Sequence, residues 1–242
     1  MSSPRKHAAV GVMVKRELGA WFNSFIVWLV TSLFILITGF MFFSTFFLAN
    51  EADLRYFFEL LPVLFAFFIP AITMRVFAEE SRSGSLETLL TLPVSAGDAV
   101  AGKYLASLIS CAALLVPSLF YVLVCCIFGS PDAGPIIGGY LGALLLAAAF
   151  CAIGLFASAI SKNQIVAFFV AFAICIVLAM IDQFAIILPA RLADFLTFFS
   201  AGSHFSSVSK GIIDSRDVIY FLSVICIFLG FTVKAVKTRR NA

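Results

Sequence analysis

EESRSGSLETLLTLPVSAGDAVAGK, running from Glu79 to Lys103, is a polar island of 25 residues set between apolar runs. It carries six charged residues, Glu79, Glu80, Arg82, Glu87, Asp98 and Lys103, and no metal-ligand, nucleophile or phosphate-binding pattern. Leu86, Leu89 and Leu90 fall at i, i+3 and i+4, and Leu92 extends the same apolar surface, which predicts a helix of about two turns. Glu87 lies in its first turn, where the helix dipole favours a carboxylate. Ser83, Gly84 and Ser85 are the candidate caps at its start, and Pro93 stops it. So short a helix is not stable alone in water. It needs a surface, and either packs its leucines on the chain's own membrane face or offers them to a partner. Ser95 and Asp98 have the spacing of a capping box that opens a second helix through Lys103.

Outward from the island the chain is apolar. Of 242 residues, 62% are apolar and 12% are charged, against about 25% charged in an average soluble domain. A membrane span needs about 20 apolar residues, with a range of roughly 17 to 25. Six segments fit: 25–48, 57–76, 104–128, 136–160, 165–181 and 218–234. They predict an all-α integral membrane protein of six transmembrane helices, a single transmembrane domain over 1–242. Pro62 and Pro70 predict kinks near both ends of the second span. The run beginning at Phe25 lacks a small-residue cleavage site and reads as a retained span, not a secretory signal.

Lys and Arg set the orientation. With the amino terminus inside, twelve of them (Arg5, Lys6, Lys15, Arg16, Arg75, Arg82, Lys103, Lys162, Lys234, Lys237, Arg239 and Arg240) lie in the cytoplasm. Arg55, Arg191, Lys210 and Arg216 fall outside. Both termini and the island, 79–100, are therefore expected to be cytoplasmic. Ahead of the first span, Val10, Val14, Leu18 and Trp21 recur every three or four residues with Lys15 and Arg16 opposite, predicting an amphipathic interfacial helix over 8–23. Glu17 interrupts its apolar stripe. The loop 182–217 is long and semi-apolar, and is expected to form short helices resting on, or dipping into, the outer membrane face.

Few side chains suggest chemistry. Glu59, Asp182 and Gln183 form a candidate outer-face polar site, weighed against ordinary solvated helix ends. Gly138, Gly139 and Gly142 offer a small-residue face, either for local packing or as a subunit seam. The six cysteines all lie inside apolar runs without metal spacing, where cysteine acts as a small hydrophobe. Two histidines, His7 and His204, do not make a relay. No catalytic, metal or cofactor-binding residue is expected, and no nucleic-acid partner. A membrane enzyme would need paired acids or a Ser/His set facing each other within the bilayer.

The island, with its lead-in PAITMRVFA, resembles the signature loop of ABC type-2 export permeases: an acidic pair, an Arg and a Gly, a leucine-rich short helix, a Leu-Pro and a Gly-Lys, in that order. KRELGAWFNS before the first span and SAISKNQIVA between the fourth and fifth are similar, more narrowly, to the permease of the gliding-motility (Gld) ABC transporter group. The similarity runs over nearly the whole chain.

That resemblance implies a coupling helix between spans two and three, docked in a groove of a cytoplasmic ATPase. Leu86, Leu89, Leu90 and Leu92 would be its buried knob, ahead of Pro93. Glu79, Glu80, Arg82 and Glu87 would form a charged rim, with Gly84 and Lys103 completing the motif. Apolar anchors at helical spacing suit a groove, and rim charges give orientation more than affinity. The chain has no phosphate loop, so ATP and Mg would sit on two copies of a separate ATPase. The assembly would also need a second permease half, a copy of this chain or a different membrane subunit such as a Gld-type auxiliary protein. The resemblance implies an exporter in the inner membrane of a bacterium, working by alternating access on an unidentified substrate. The alternative is a non-transporting scaffold of an envelope or motility complex that turns ATP hydrolysis into mechanical work.

Overall fold

A computed structural model describes residues 4–49, 53–83, 95–129, 131–187, 189, 196–212 and 214–240. Among these residues the regular elements are helices, and no strand occurs. Six helical stretches are long and apolar enough to cross a membrane: Phe25–Leu48, Arg55–Arg82, Ala96–Phe128, Ala133–Ile160, Gln164–Phe184 and Ser215–Arg239. Each contains one expected span. Several run further at their polar ends, because helical hydrogen bonding continues past the point where the apolar run stops.

Helix α1 (Pro4–Phe22) leads through a tight turn into α2 (Phe25–Ala49). Trp28 Nε1 donates to the Phe22 carbonyl at 2.9 Å, satisfying an acceptor that the end of α1 leaves unpaired. The second span is α3 (Arg55–Thr73) followed by α4 (Arg75–Ser83), separated at Met74. Pro62 lies inside uninterrupted α3, and the break comes just after Pro70. Proline there has no N–H to continue the helical ladder. Thr73 Oγ1 bonds the Ile69 carbonyl at 2.9 Å, a back-bond that loosens the same turn.

The third span is α5 (Ala96–Leu115), a 3-10 turn at Val116–Ser118 containing Pro117, and α6 (Leu119–Phe128). Ser95 caps α5 by accepting from the Asp98 N–H at 3.1 Å, as the spacing foretold. Then come α7 (Ala133–Ile160), α8 (Gln164–Met180) capped by Asn163, α9 (Ala201–Ser209) capped by Ser200, and α10 (Ser215–Arg240).

Helix α7 is the axis of the bundle, packed against α3, α4, α5, α8, α9 and α10. In a bilayer lipid tails are as apolar as leucine, so close packing of small residues, not hydrophobicity, draws helices together. Helix α7 supplies those residues. A Cβ at Gly138 would stand 2.5 Å from the Val208 carbonyl, and one at Gly142 would stand 3.1 Å from Val208 and 3.2 Å from Phe205. One at Gly139 would collide with the Phe58 ring. The small-residue face at Gly138, Gly139 and Gly142 is thus filled by this chain's own α9 and α3. Within α9, Ala201, Phe205 and Val208 are buried against the bundle. Gly211, at φ +86°, turns the chain away after α9, a conformation suited to glycine.

Candidate functional site

Of the island itself, Gly84, Leu86, Glu87, Leu89, Leu90, Leu92 and Pro93 lie outside the described residues. Its two roots, α4 and the start of α5, are described, and they meet at a buried ionic cluster. Lys103 is 1% exposed. Its Nζ donates to Glu17 Oε1 at 3.0 Å, Glu80 Oε1 at 2.9 Å and the Val76 carbonyl at 2.9 Å. Those three acceptors use all three protons of an ammonium. The Phe77 ring adds a cation–π contact, with Nζ 5.1 Å from its centroid. Arg16 closes the cluster from the solvent side, reaching Glu17 Oε1 at 2.7 Å and Glu80 Oε1 at 3.0 Å. Among the described residues two cations, Lys103 and Arg16, face two carboxylates, Glu17 and Glu80.

Local sequence explains why the lysine arrives there. Gly102 lets α1 come close to α5: a Cβ at that position would stand 3.1 Å from Met13 Sδ. The next residue, Lys103, then lies under α1, within reach of Glu17. The Glu17 that seemed to spoil the apolar stripe of α1 is the residue that joins α1 to the transmembrane bundle. Burial pushes its carboxyl up, but Lys103 and Arg16 outweigh that and hold it below its ordinary value. The Arg16 guanidinium is pushed up, chiefly by its hydrogen bond to Glu17.

Helix α4 is held from other sides too. Ser158 of α7 sits at the α3–α4 break, donating to the Met74 carbonyl at 2.8 Å and accepting from the Phe77 and Ala78 N–H groups at 3.0 Å each. It replaces helical bonds that the break removes. One turn earlier, Gly154 leaves room for Thr73, which a Cβ would strike. Arg75 Nη1 donates to Ser24 Oγ at 2.5 Å, and its Nε lies 3.4 Å from Glu79 Oε2. From α10, Arg239 Nη1 donates to Ser81 Oγ at 2.8 Å. A cavity of about 310 Å³ opens beside the cluster between Arg16, Trp21, Arg75 and Lys103.

The charged residues of the expected coupling motif therefore divide. Glu79 and Arg82 are exposed. Glu80 and Lys103 instead point inward, because α1 covers them and supplies Glu17 and Arg16 as partners. Sequence reasoning passed over Glu17, Arg16, Ser24 and Ser158. A signal for the first was present: one acid in an apolar helical stripe, and one lysine at the mouth of an otherwise uncharged span.

The other candidates do not form a shared centre. Glu59 is exposed on the first turns of α3, and Gln183 is exposed on the 3-10 turn Ile181–Ile187. Asp182, on the same turn, has a buried Oδ1 without a partner among the described residues. No hydrogen bond or ion pair joins the three among the described residues. Nor does any trio of His, Cys, Asp or Glu come together there as a metal site. The described residues at the α4–α5 root join α1, α4 and α5 by charge and hydrogen bonds.

Residues 12–236 match the family model described as an ABC-2 family transporter protein. No curated protein matches the chain.

Proposed function

The chain belongs to the ABC-2 family of transporter proteins and is a membrane permease subunit; on that premise we propose that it is the membrane half of an exporter driven through the island 79–103 by a separate cytoplasmic ATPase. The observation that carries this reading is the Lys103–Glu80–Glu17 cluster. It ties the two ends of the island to each other and to α1. A push on the loop between Ser83 and Ser95 would then reach α4 and α5 together, and through Ser158 would reach α7. Force passes through a rigid root and is lost through a floppy one, and this root is buried, hydrogen-bonded and capped at Ser95.

In this reading Leu86, Leu89, Leu90 and Leu92 seat in a groove of the ATPase, while the outward-facing Glu79 and Arg82 set the register. Both termini lie in the cytoplasm, in keeping with the lysine and arginine distribution. The two segments similar to the gliding-motility group converge on the roots of the island: KRELGAWFNS supplies Arg16 and Ser24 to α4 and Glu17 to Lys103 of α5, and SAISKNQIVA supplies Ser158 to α4. On the strength of that sequence similarity, the reading extends to a Gld-type permease, paired with a second membrane half, in a bacterial inner membrane.

The test is the double substitution Leu89→Asp and Leu90→Asp in the assembled complex in proteoliposomes. It should leave membrane insertion intact and abolish permease-dependent ATP turnover and co-purification of the ATPase. Unchanged turnover would remove the island from the coupling pathway.

A further inference from the structure

At the end of the bundle away from the ionic cluster, α8, α9 and α10 enclose a second cavity, of about 1170 Å³. Its placement follows from α10, whose last turn touches Ser81 of α4 through Arg239 and whose first turn lines this cavity with Asp217. The cavity is two-sided in character. Ile174, Leu178, Val224, Ile227 and Phe228 make an apolar wall, and His204, Asp217, Lys210 and Arg216 gather at one end.

The polar end is built, not incidental. Asp217 is 5% exposed, so a carboxyl has been taken out of water there. His204 Nδ1 meets its Oδ1 at 2.6 Å, and His204 Nε2 donates to the Phe198 carbonyl at 3.1 Å. The imidazole stacks on Tyr220 with ring centroids 4.2 Å apart, and the Tyr220 hydroxyl donates to the Phe199 carbonyl at 2.7 Å. One oxygen of Asp217 is thereby held by His204, which Phe198 and Tyr220 hold in turn. The other, Oδ2, is buried without a hydrogen-bond partner among the described residues. A carboxylate oxygen left so is costly, and Asp217 lines the cavity from which a donor can approach it. At the mouth, Lys210 and Arg216 are exposed cations. Asp214 is committed elsewhere, accepting from the Arg216 N–H at 3.1 Å.

Dimensions identify the rest of the ligand. Along α10, Asp217 to Phe228 spans about 16 Å at 1.5 Å per residue, close to half of a hydrocarbon core about 30 Å thick. We propose that this cavity holds one phospholipid bearing a primary ammonium, drawn from the adjoining bilayer leaflet. Its acyl chain lies along the wall formed by Leu178, Val224 and Ile227. Its phosphate meets Lys210 and Arg216, and its ammonium donates to Asp217 Oδ2. A headgroup with phosphate but no N–H leaves that oxygen unsatisfied, so the site discriminates by donor. Ligand occupancy here requires no ATPase, so its failure would leave the permease reading untouched.

The experiment adds phosphatidylethanolamine, phosphatidylcholine or phosphatidylglycerol of identical acyl chains to the full chain purified in a neutral detergent, with native mass spectrometry reading bound lipid. Phosphatidylethanolamine should bind about tenfold more tightly than phosphatidylcholine, the effect of one charge-assisted hydrogen bond. Asp217→Asn should bring the two to parity. Lys210→Ala with Arg216→Ala should weaken both together. Should Asp217→Asn fail to fold, Leu178→Trp fills the apolar wall with Asp217 intact and should abolish retention of phosphatidylethanolamine. Equal binding of phosphatidylethanolamine and phosphatidylcholine overturns the proposal, as does equal binding of phosphatidylglycerol, retained preference in Asp217→Asn, or undiminished lipid in Leu178→Trp.

Discussion

Replacing Lys103 with methionine keeps most of the side-chain volume and removes only the ammonium. Three acceptors lose their donor at once, and Arg16 is left to balance the carboxylates of both Glu17 and Glu80. Removing one partner of a fully buried ion pair costs about 3–5 kcal/mol. This cluster is not fully sealed: the Glu17 and Glu80 side chains are 20% and 18% exposed, and Arg16 is 54% exposed. Water therefore relieves part of the loss, and the lower end of that range, about 3 kcal/mol, is expected. For a chain of this size that corresponds to a fall in Tm of about 6–12 °C. The measurement is thermal unfolding of the detergent-purified chain, followed by loss of the monodisperse peak in size exclusion. Adding Glu80→Gln to Lys103→Met should recover much of the loss, because a neutral pair of similar volume is often as stable as the ion pair it replaces. A change below about 2 °C in Lys103→Met, or a double variant no better than the single, would refute the claim that this lysine holds α1, α4 and α5 together.

The held-down carboxyl of Glu17 predicts a pH dependence. A depressed folded-state pKa contributes stability above the unfolded value, about 4.3 for glutamate, and loses it as pH falls through the folded value. The Tm advantage of the natural chain over Glu17→Gln should thus be constant from pH 7 to about 5 and vanish at lower pH; an advantage that grows on acidification contradicts the assignment. Ser158→Ala leaves two N–H groups of α4 unpaired and should lower Tm by about 2–8 °C, a loss of about 1–2 kcal/mol. Gly138→Ala drives a methyl into the Val208 carbonyl and should cost about 1–3 kcal/mol by overpacking, read as a lower yield of monodisperse protein. If Gly138→Ala purifies and melts like the natural chain, α9 does not seat where it is placed.

Much of the architecture was legible along the chain, for one physical reason. Inside a bilayer each apolar segment must satisfy its own backbone groups, so a run of the right length is a helix whatever its neighbours do. That determined the six spans on either side of the island, and local hydrogen bonding likewise determined the Ser95 cap that opens α5. Pro70 announced a disturbance in the second span, but only the placement of Ser158 decided that the chain breaks at Met74 and continues as α4. The partners that matter most lie far apart in sequence: Glu17 and Lys103 by 86 residues, Met74 and Ser158 by 84. Their meeting depends on how each helix is rotated and how closely it is approached, and hydropathy is silent on both, since lipid and protein interior are equally apolar. Gly102, Gly138 and Gly142 permit those approaches, yet a glycine alone does not name what fills its space. Which helices exist was therefore written locally; which faces meet, and so where the charges are buried, was decided by packing.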